Sequence, residues 1–370
     1  MDEFSSTVAR GRSILVGKPL AVLLWIGAAV LLLDLLRDLS TGELLISQLG
    51  RYVLDGLTVG LVIGLAGVGL SMTYSILNFA NFAHGDYITA GAFSGWATTY
   101  LLAGFGEHSL ASLLLVGAGG SVFASELGIN ITATPVAIVA GIVVAGLATI
   151  GLSLVIDRWV FKPLRNEEGI IILIASVGVA LALRYGIVFV FQQNSRGLTA
   201  GESRIPLELV DGTIYLGYHQ LTLIVVAVLL MLGVHFVLQQ TKLGKAMRAM
   251  ADNKDLAQVT GIPTERVVRW TWIMGGGLTG IAGYLIILDR GTLAYNFGWL
   301  LLLLIFAAVI LGGIGSVYGA IGGGLIIGLA SRVSLVWLPE ATFARPAAFL
   351  VMILILVYRP QGLFTGRATA

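Results

Sequence analysis

About ten apolar runs of roughly membrane-crossing length, separated by short polar connections, decide what this chain can fold into. A bilayer offers no water to backbone N–H and C=O groups, so such runs can cross it only as helices or as a closed barrel. Runs of this length and apolarity are helical. They fall near 20–36, 53–75, 86–103, 136–156, 170–191, 220–238, 270–289, 299–313, 317–337 and 343–358, those at 86–103 and 299–313 being short or interrupted. Only 11% of the 370 residues are charged, against about 25% in a soluble domain. The expected architecture is therefore an all-α membrane protein. It is a polytopic helical bundle of about eight to ten transmembrane segments with broken or re-entrant helices. Residues 1–19 form an N-terminal cytoplasmic segment, 20–358 the membrane domain and 359–370 a cytoplasmic tail.

Basic residues give the expected orientation. Arg10, Arg12 and Lys18, then Arg158, Lys162 and Arg165, then Lys242, Lys245, Arg248, Lys254, Arg266 and Arg269, then Arg359 and Arg367 all fall in connections of one parity. The positive-inside rule makes that side, with both termini, cytoplasmic. Trp159, Trp270, Trp272, Trp299 and Trp337 sit at span ends, where an interfacial belt is expected. The connections 104–134 and 192–219 are then external, and LASLLLVGAGG in the first reads as a short surface helix.

Polar residues are rare enough in these spans to be informative. Ser71, Tyr74, Asn78 and Asn81 recur at steps of three and four, which on one helix aligns them as a stripe. His84 and Asp86 follow closely. Such groups face a bundle interior or a wet cavity, either bonding helices together or lining a solute path. Arg184 lies in another span, nearer its outer end. It either snorkels to the surface or turns inward to pair with Asp86 or a solute carboxylate.

Glycines mark the packing. Gly56, Gly60, Gly64 and Gly67 share one helix face, as do Gly276, Gly280 and Gly283, and Gly319 with Gly323 and Gly324 with Gly328 add two further pairs. NFAHGDY at 81–87 and GGIGSVYGAIGGG at 312–324 are different, because they interrupt apolar runs. Paired interruptions in two halves of a chain point to a transporter with a mid-membrane site. The cytoplasmic stretch 241–261 reads as an amphipathic helix, with Ala246, Met247, Met250, Ala251, Leu256, Ala257 and Val259 apolar, ended by Gly261 and Pro263. Its small residues favour docking in a groove of another protein over lying on lipid.

Several function classes are excluded. The chain has no cysteine, and its four histidines lack metal-ligand spacing, so no metal site is expected. Gly11 and Lys18 imitate a phosphate loop, but Pro19 stands where a magnesium-binding hydroxyl belongs. A net charge of +2 without a basic block argues against nucleic acid. No nucleophile–base constellation supports an intramembrane enzyme, and a self-sufficient channel would not need the 241–261 helix.

Four motifs in consistent order carry a resemblance. LDGLTVGLVIGLAGVGLSMTYSILNFANFAHGDYITAGA resembles the opening motif of the LivH-type permeases, membrane subunits of branched-chain amino acid ABC importers. GKAMRAMADNKDLAQVTGIPTERV is similar to that family's coupling helix, AAVILGGIGSVYGAIGGGLIIG to its late glycine motif and YRPQGLF to its C-terminal signature. The resemblance implies a permease subunit, not an enzyme, in an ATP-driven importer of branched-chain or related neutral amino acids. Urea or short-chain amides are the alternative solutes. It implies a second permease in a heterodimer, two cytoplasmic ATPase subunits that bind the ATP and magnesium, and an extracytoplasmic solute-binding protein, with lipid around the whole. The solute path would involve Ser71, Tyr74, Asn78, Asn81, His84, Asp86 and Arg184. The late motif would centre on Gly312, Gly313, Gly315, Ser316 and Gly319, and ATPase coupling on Gly244, Arg248, Ala249, Asp252, Asn253 and Gly261.

Overall fold

The computed structural model describes residues 19–104, 129–193, 195–197 and 203–364. The termini beyond these limits, and the LASLLLVGAGG stretch, lie outside the described residues. Each of the ten expected spans is a helix. They are α1 (Pro19–Thr41), α2 (Ile46–Leu77), α3 (His84–Ala103), α4 (Pro135–Ile156), α5 (Gly169–Phe191), α6 (Tyr218–Gln240), α9 (Thr264–Arg290), α10 (Phe297–Gly312), α11 (Val317–Val333) and α12 (Ala344–Tyr358). The short α7 (Lys242–Asp252) and α8 (Lys254–Val259) lie between α6 and α9. Among the described residues, seven helices are long and apolar enough to cross a membrane, and α10 is a shorter apolar one. Of the other two, α1 (23 residues) is strongly apolar up to Asp34, whereas α3 (20 residues) carries His84 and Asp86 in its first turn.

The core is built from α2, α3, α9, α10 and α11, with α4 against α3 and α9. Glycine sets its tightest seam. A Cβ on Gly60 would come within 2.9 Å of the Leu325 Cα, and one on Gly324 within 2.5 Å of the Gly64 Cα. The α2 and α11 backbones therefore touch along the predicted glycine faces, where dispersion between close backbones replaces the hydrophobic effect that lipid cannot supply. Outer helices show the opposite pattern. Leu33 on α1, Ile174 and Phe189 on α5, Leu229 on α6 and Leu350 on α12 are all exposed, as lipid-facing or subunit-facing side chains must be.

Short strands cap one end of the bundle. β1 (Arg196–Gly197) pairs antiparallel with β4 (Thr292–Leu293), and β2 (Arg204–Leu209) with β3 (Gly212–Gly217). Asp211, in the β2–β3 turn, accepts hydrogen bonds from the Ser47 N–H at 3.0 Å and from the Ile46 N–H, which satisfies free donors at the start of α2. The helices α7 and α8 lie at the opposite end.

The tryptophan belt needs correction. Trp159 is exposed, but Trp272 is buried and stacks on Phe161 with ring centroids 5.5 Å apart. Trp299 is half-buried, and a cation lies over its ring at 4.7 Å.

Candidate functional site

The polar stretch after α2 lies on a broken helix. Asn78 adopts a left-handed conformation, φ 55°, and its N–H still donates to the Tyr74 carbonyl at 2.8 Å, which closes α2. Asn tolerates this region better than other side-chain-bearing residues because its short amide bonds locally. Residues 79–83 then turn back into the bundle before α3 starts at His84. The His84 Nε2 donates to the Ala66 carbonyl at 2.9 Å. Ala66 is eleven residues before the end of α2, so α3 begins about 16 Å inside that end, at 1.5 Å per residue. The expected stripe is therefore cut. Ser71 and Tyr74 ride on α2, exposed Asn78 caps it, and Asn81 sits within the break.

A break at this depth must satisfy its own backbone, and side chains do so. The Phe82 N–H donates to Ser176 Oγ on α5 at 3.0 Å, and the Ala83 N–H to Asn81 Oδ1 at 3.1 Å. His84 ties three helices together. Thr279 Oγ1 donates to the Gly275 carbonyl at 2.6 Å and stands 3.2 Å from His84 Nε2. That bonding makes His84 a buried linker of α2, α3 and α9. Among the described residues, Ser71 Oγ and Asn81 Nδ2 are buried without a hydrogen-bond partner.

Asp86 and Arg184 meet. Arg184 Nε donates to Asp86 Oδ1 at 3.2 Å and Nη2 to Oδ2 at 3.0 Å, a two-point pair between α3 and α5. The Asp86 side chain is 0% exposed and that of Arg184 is 14%. Of the two courses open to this arginine, it turns inward. Its guanidinium also lies over Trp299, and Phe82 packs between Trp299 and Phe306 at 6.3 and 5.2 Å. Charge and aromatic surface thus share one partly open patch. Sequence reasoning missed Trp299 and Phe82, since a tryptophan at a helix start imitates an interfacial anchor. Ser176 was missed because a lone serine in an apolar span carries no pattern.

The second break is made of backbone. Gly313, φ 107°, ends α10, Gly315 has φ 85°, and Ser316 Oγ accepts the Gly319 N–H at 3.0 Å to start α11. A side chain at Gly312 would collide with the Gly319 carbonyl. The last α10 carbonyls take donors from the C-terminal signature, Leu363 N–H to Leu311 at 2.8 Å and Phe364 N–H to Gly312 at 3.1 Å. Two distant motifs are therefore one structural unit.

The 241–261 segment is two helices, a correction to the single amphipathic helix expected. Asn253 is extended, and its Oδ1 accepts the Leu256 N–H at 2.9 Å to start α8 afresh. This shift in phase turns Leu256 and Val259 outward, 61% and 85% exposed. The predicted coupling residues divide. Gly244 is buried against the Leu238 carbonyl, to which Arg248 Nη1 also donates, and Ala249 is half-buried. Asp252, Asn253 and Gly261 are exposed. Met247, Arg248 and Ala251 line a small crevice with Ser75, Ile76, Gly315 and Tyr318, so α7 rests against the glycine break. Among the described residues, no group of three His, Asp or Glu could hold a metal ion.

This broken, charge-paired bundle with its separate pair of surface helices matches, over residues 52–358, the family described as branched-chain amino acid transport system, permease component. The chain belongs to that family. It is 29% identical over 324 residues to the high-affinity branched-chain amino acid transport system permease protein LivH of Escherichia coli K12, covering 85% of this chain and 94% of that protein. It is 27% identical over 322 residues to the corresponding BraD of Pseudomonas aeruginosa, with 85% and 94% covered. A probable LivH of Methanocaldococcus jannaschii is 28% identical over 334 residues, with 87% and 95% covered. No solved structure matches the chain at a significant level. In this multi-pass permease the matched region takes in both breaks and the α7–α8 pair, and stops just short of Leu363 and Phe364.

Proposed function

We propose that this permease is the membrane subunit of an ATP-driven ABC importer that brings branched-chain or related neutral amino acids across the cytoplasmic membrane. The observation that carries the proposal is the likeness, over 85% of the chain, to permeases named for that transport. The Asp86–Arg184 pair beside Phe82 and Trp299 supports it chemically. A zwitterion with an apolar side chain needs both charges and an apolar wall. Ser71, Tyr74, Asn78, Asn81 and His84 belong to the same path, His84 and Asn81 as supports of the break.

The α7 end faces the cytoplasm, with both termini, as the basic connections require. There Asp252, Asn253, Gly261, Leu256 and Val259 meet an ATPase subunit, while Gly244, Arg248 and Ala249 fasten α7 to the bundle. Two such ATPases, a second permease and an extracytoplasmic binding protein complete the importer, and the ATPases hold the ATP and magnesium. Closure of the ATPases pushes α7 against Gly312, Gly313, Gly315, Ser316 and Gly319, and the bundle rocks to alternate access. The relatives' names favour amino acids over urea or amides.

The test is uptake of labelled leucine by the assembled complex in liposomes, with excess unlabelled urea present. ATP-dependent accumulation that ignores urea is the expected result. An assembled, ATP-hydrolysing complex that moves no leucine, or whose uptake urea blocks, contradicts it.

A further inference from the structure

A second polar site lies at the α8 end, apart from the Asp86–Arg184 patch. A cavity of about 350 Å³ opens between α8, the end of α2, the connection after α4 and the start of α9. Small-molecule pockets run from about 300 to 1,000 Å³. One wall is apolar, with Ile76, Leu77, Phe79, Phe161, Ile172 and Val268. The rest of the lining is a polar wall of Lys162, Arg165, Asn166, Lys254, Gln258, Thr264 and Glu265.

The charges on that wall are unevenly satisfied. Glu265 accepts from Lys162 at 2.9 Å and from Arg165 at 2.8 Å, and Arg165 also pairs with Asp157 at 2.6 Å. Two carboxylates thus answer two of the three cations. Among the described residues Lys254 makes no ion pair, whereas Arg165 is committed through Nη1 to Glu265 and through Nη2 to Asp157. Lys254 thus leaves the wall a cationic donor to spare for one carboxylate. Each Glu265 oxygen also keeps a lone pair for an ammonium, since a carboxylate offers about four acceptor sites and two are used.

We propose that this cavity is a cytoplasmic binding site for an α-amino acid with an apolar side chain, the carboxylate held by Lys254, the ammonium by Glu265 and the side chain by Phe79 and Ile76. The choice of an amino acid rests on the transport reading given above, and the site is where transported solute is held before release. Phe79 belongs to the polar break and Lys254 and Gln258 to α8, so occupancy is linked to the position of the surface helices. Whatever displacement of α8 favours release disfavours binding by the same factor.

The test is equilibrium binding of labelled leucine to the permease–ATPase complex in nanodiscs, without binding protein or nucleotide. Saturable binding is expected, weakened about tenfold or more by Lys254→Gln. Lys254 is exposed, so its replacement leaves the fold intact. The 2-oxo acid of leucine, which lacks the ammonium, and isopentylamine, which lacks the carboxylate, are expected to compete about tenfold less well. Equal competition by the 2-oxo acid overturns the zwitterion site in favour of a plain anion site. Absent binding, or binding indifferent to Lys254→Gln, overturns the cavity assignment. ATP-driven leucine uptake by the same complex separates the two proposals. Uptake without Lys254-dependent binding refutes the cavity alone, and failure of both refutes the amino acid reading as well.

Discussion

The permease interrupts its helices at 78–83 and again at 313–316, and the two interruptions are filled in different ways. At the first, side chains complete the backbone, Ser176 and Asn81 accepting the free N–H groups, and a buried ion pair stands beside it. At the second, glycines make the turn and the chain's own C-terminal backbone takes up the open carbonyls. The first reaches about 16 Å into the bundle, while the second lies next to Ser75, near the end of α2, and against α7. Depth explains the contrast. Deep in a membrane, a polar side chain is costly unless it is used, whereas near the rim a glycine turn suffices to end one helix and start another.

The sharpest way to break this comparison is to strip the first site of one charge. Asp86→Ala strands the Arg184 guanidinium and is expected to cost about 3–5 kcal/mol. The thermal midpoint of the purified complex should fall accordingly, and Asp86→Asn/Arg184→Gln should recover most of the loss. If the single and double variants melt alike, the pair is not coupled. At the second site overpacking replaces charge. Gly312→Val presses on the Gly319 carbonyl and is expected to cost about 1–3 kcal/mol, with no second-site charge change to rescue it. Gly315→Ala isolates the backbone effect, because a Cβ there has room, 3.6 Å from the Ser75 Cβ. Only the left-handed conformation is penalised, by about 1–2 kcal/mol in the same melting assay. The smallest stability change is expected for Leu256→Glu on α8, within about 0.5 kcal/mol, yet it should lower ATP-driven uptake by removing an exposed apolar contact.

Much of the bundle was legible in the sequence, because lipid imposes length and apolarity on each span and backbone contact imposes glycine on each tight seam. All ten apolar runs are helices, and Gly56, Gly60, Gly64, Gly324 and Gly328 pack as their spacing implied. The breaks were visible as interruptions but displaced by a few residues, since Asn78 in a left-handed turn reads like any other member of a polar stripe. The β2–β3 hairpin went unread, although Ile205, Leu207 and Leu209 alternate on β2 opposite Leu216, Ile214 and Gly212, because the connection reads only as the link between two apolar spans. Phase was lost at Asn253 for a different reason. One extended residue restarts a helix and carries Leu256 to the opposite side, which periodicity alone does not reveal. The Asp86–Arg184 pair was legible as chemistry, two opposite charges in an apolar chain, but its two-point geometry and the Trp299 beneath it required the fold.

On the proposed function, the polar break handles solute while the glycine break transmits motion. The most direct test of this claim is the amount of leucine moved per ATP hydrolysed, compared between Asp86→Asn/Arg184→Gln and Gly315→Ala in liposomes. The charge-free variant is expected to keep hydrolysing ATP while this ratio falls about tenfold, as the loss of one interaction near 1.4 kcal/mol implies. Gly315→Ala is expected to lower hydrolysis and uptake together, leaving the ratio near that of the unaltered complex. A charge-free variant that moves a normal amount of leucine per ATP would contradict the claim.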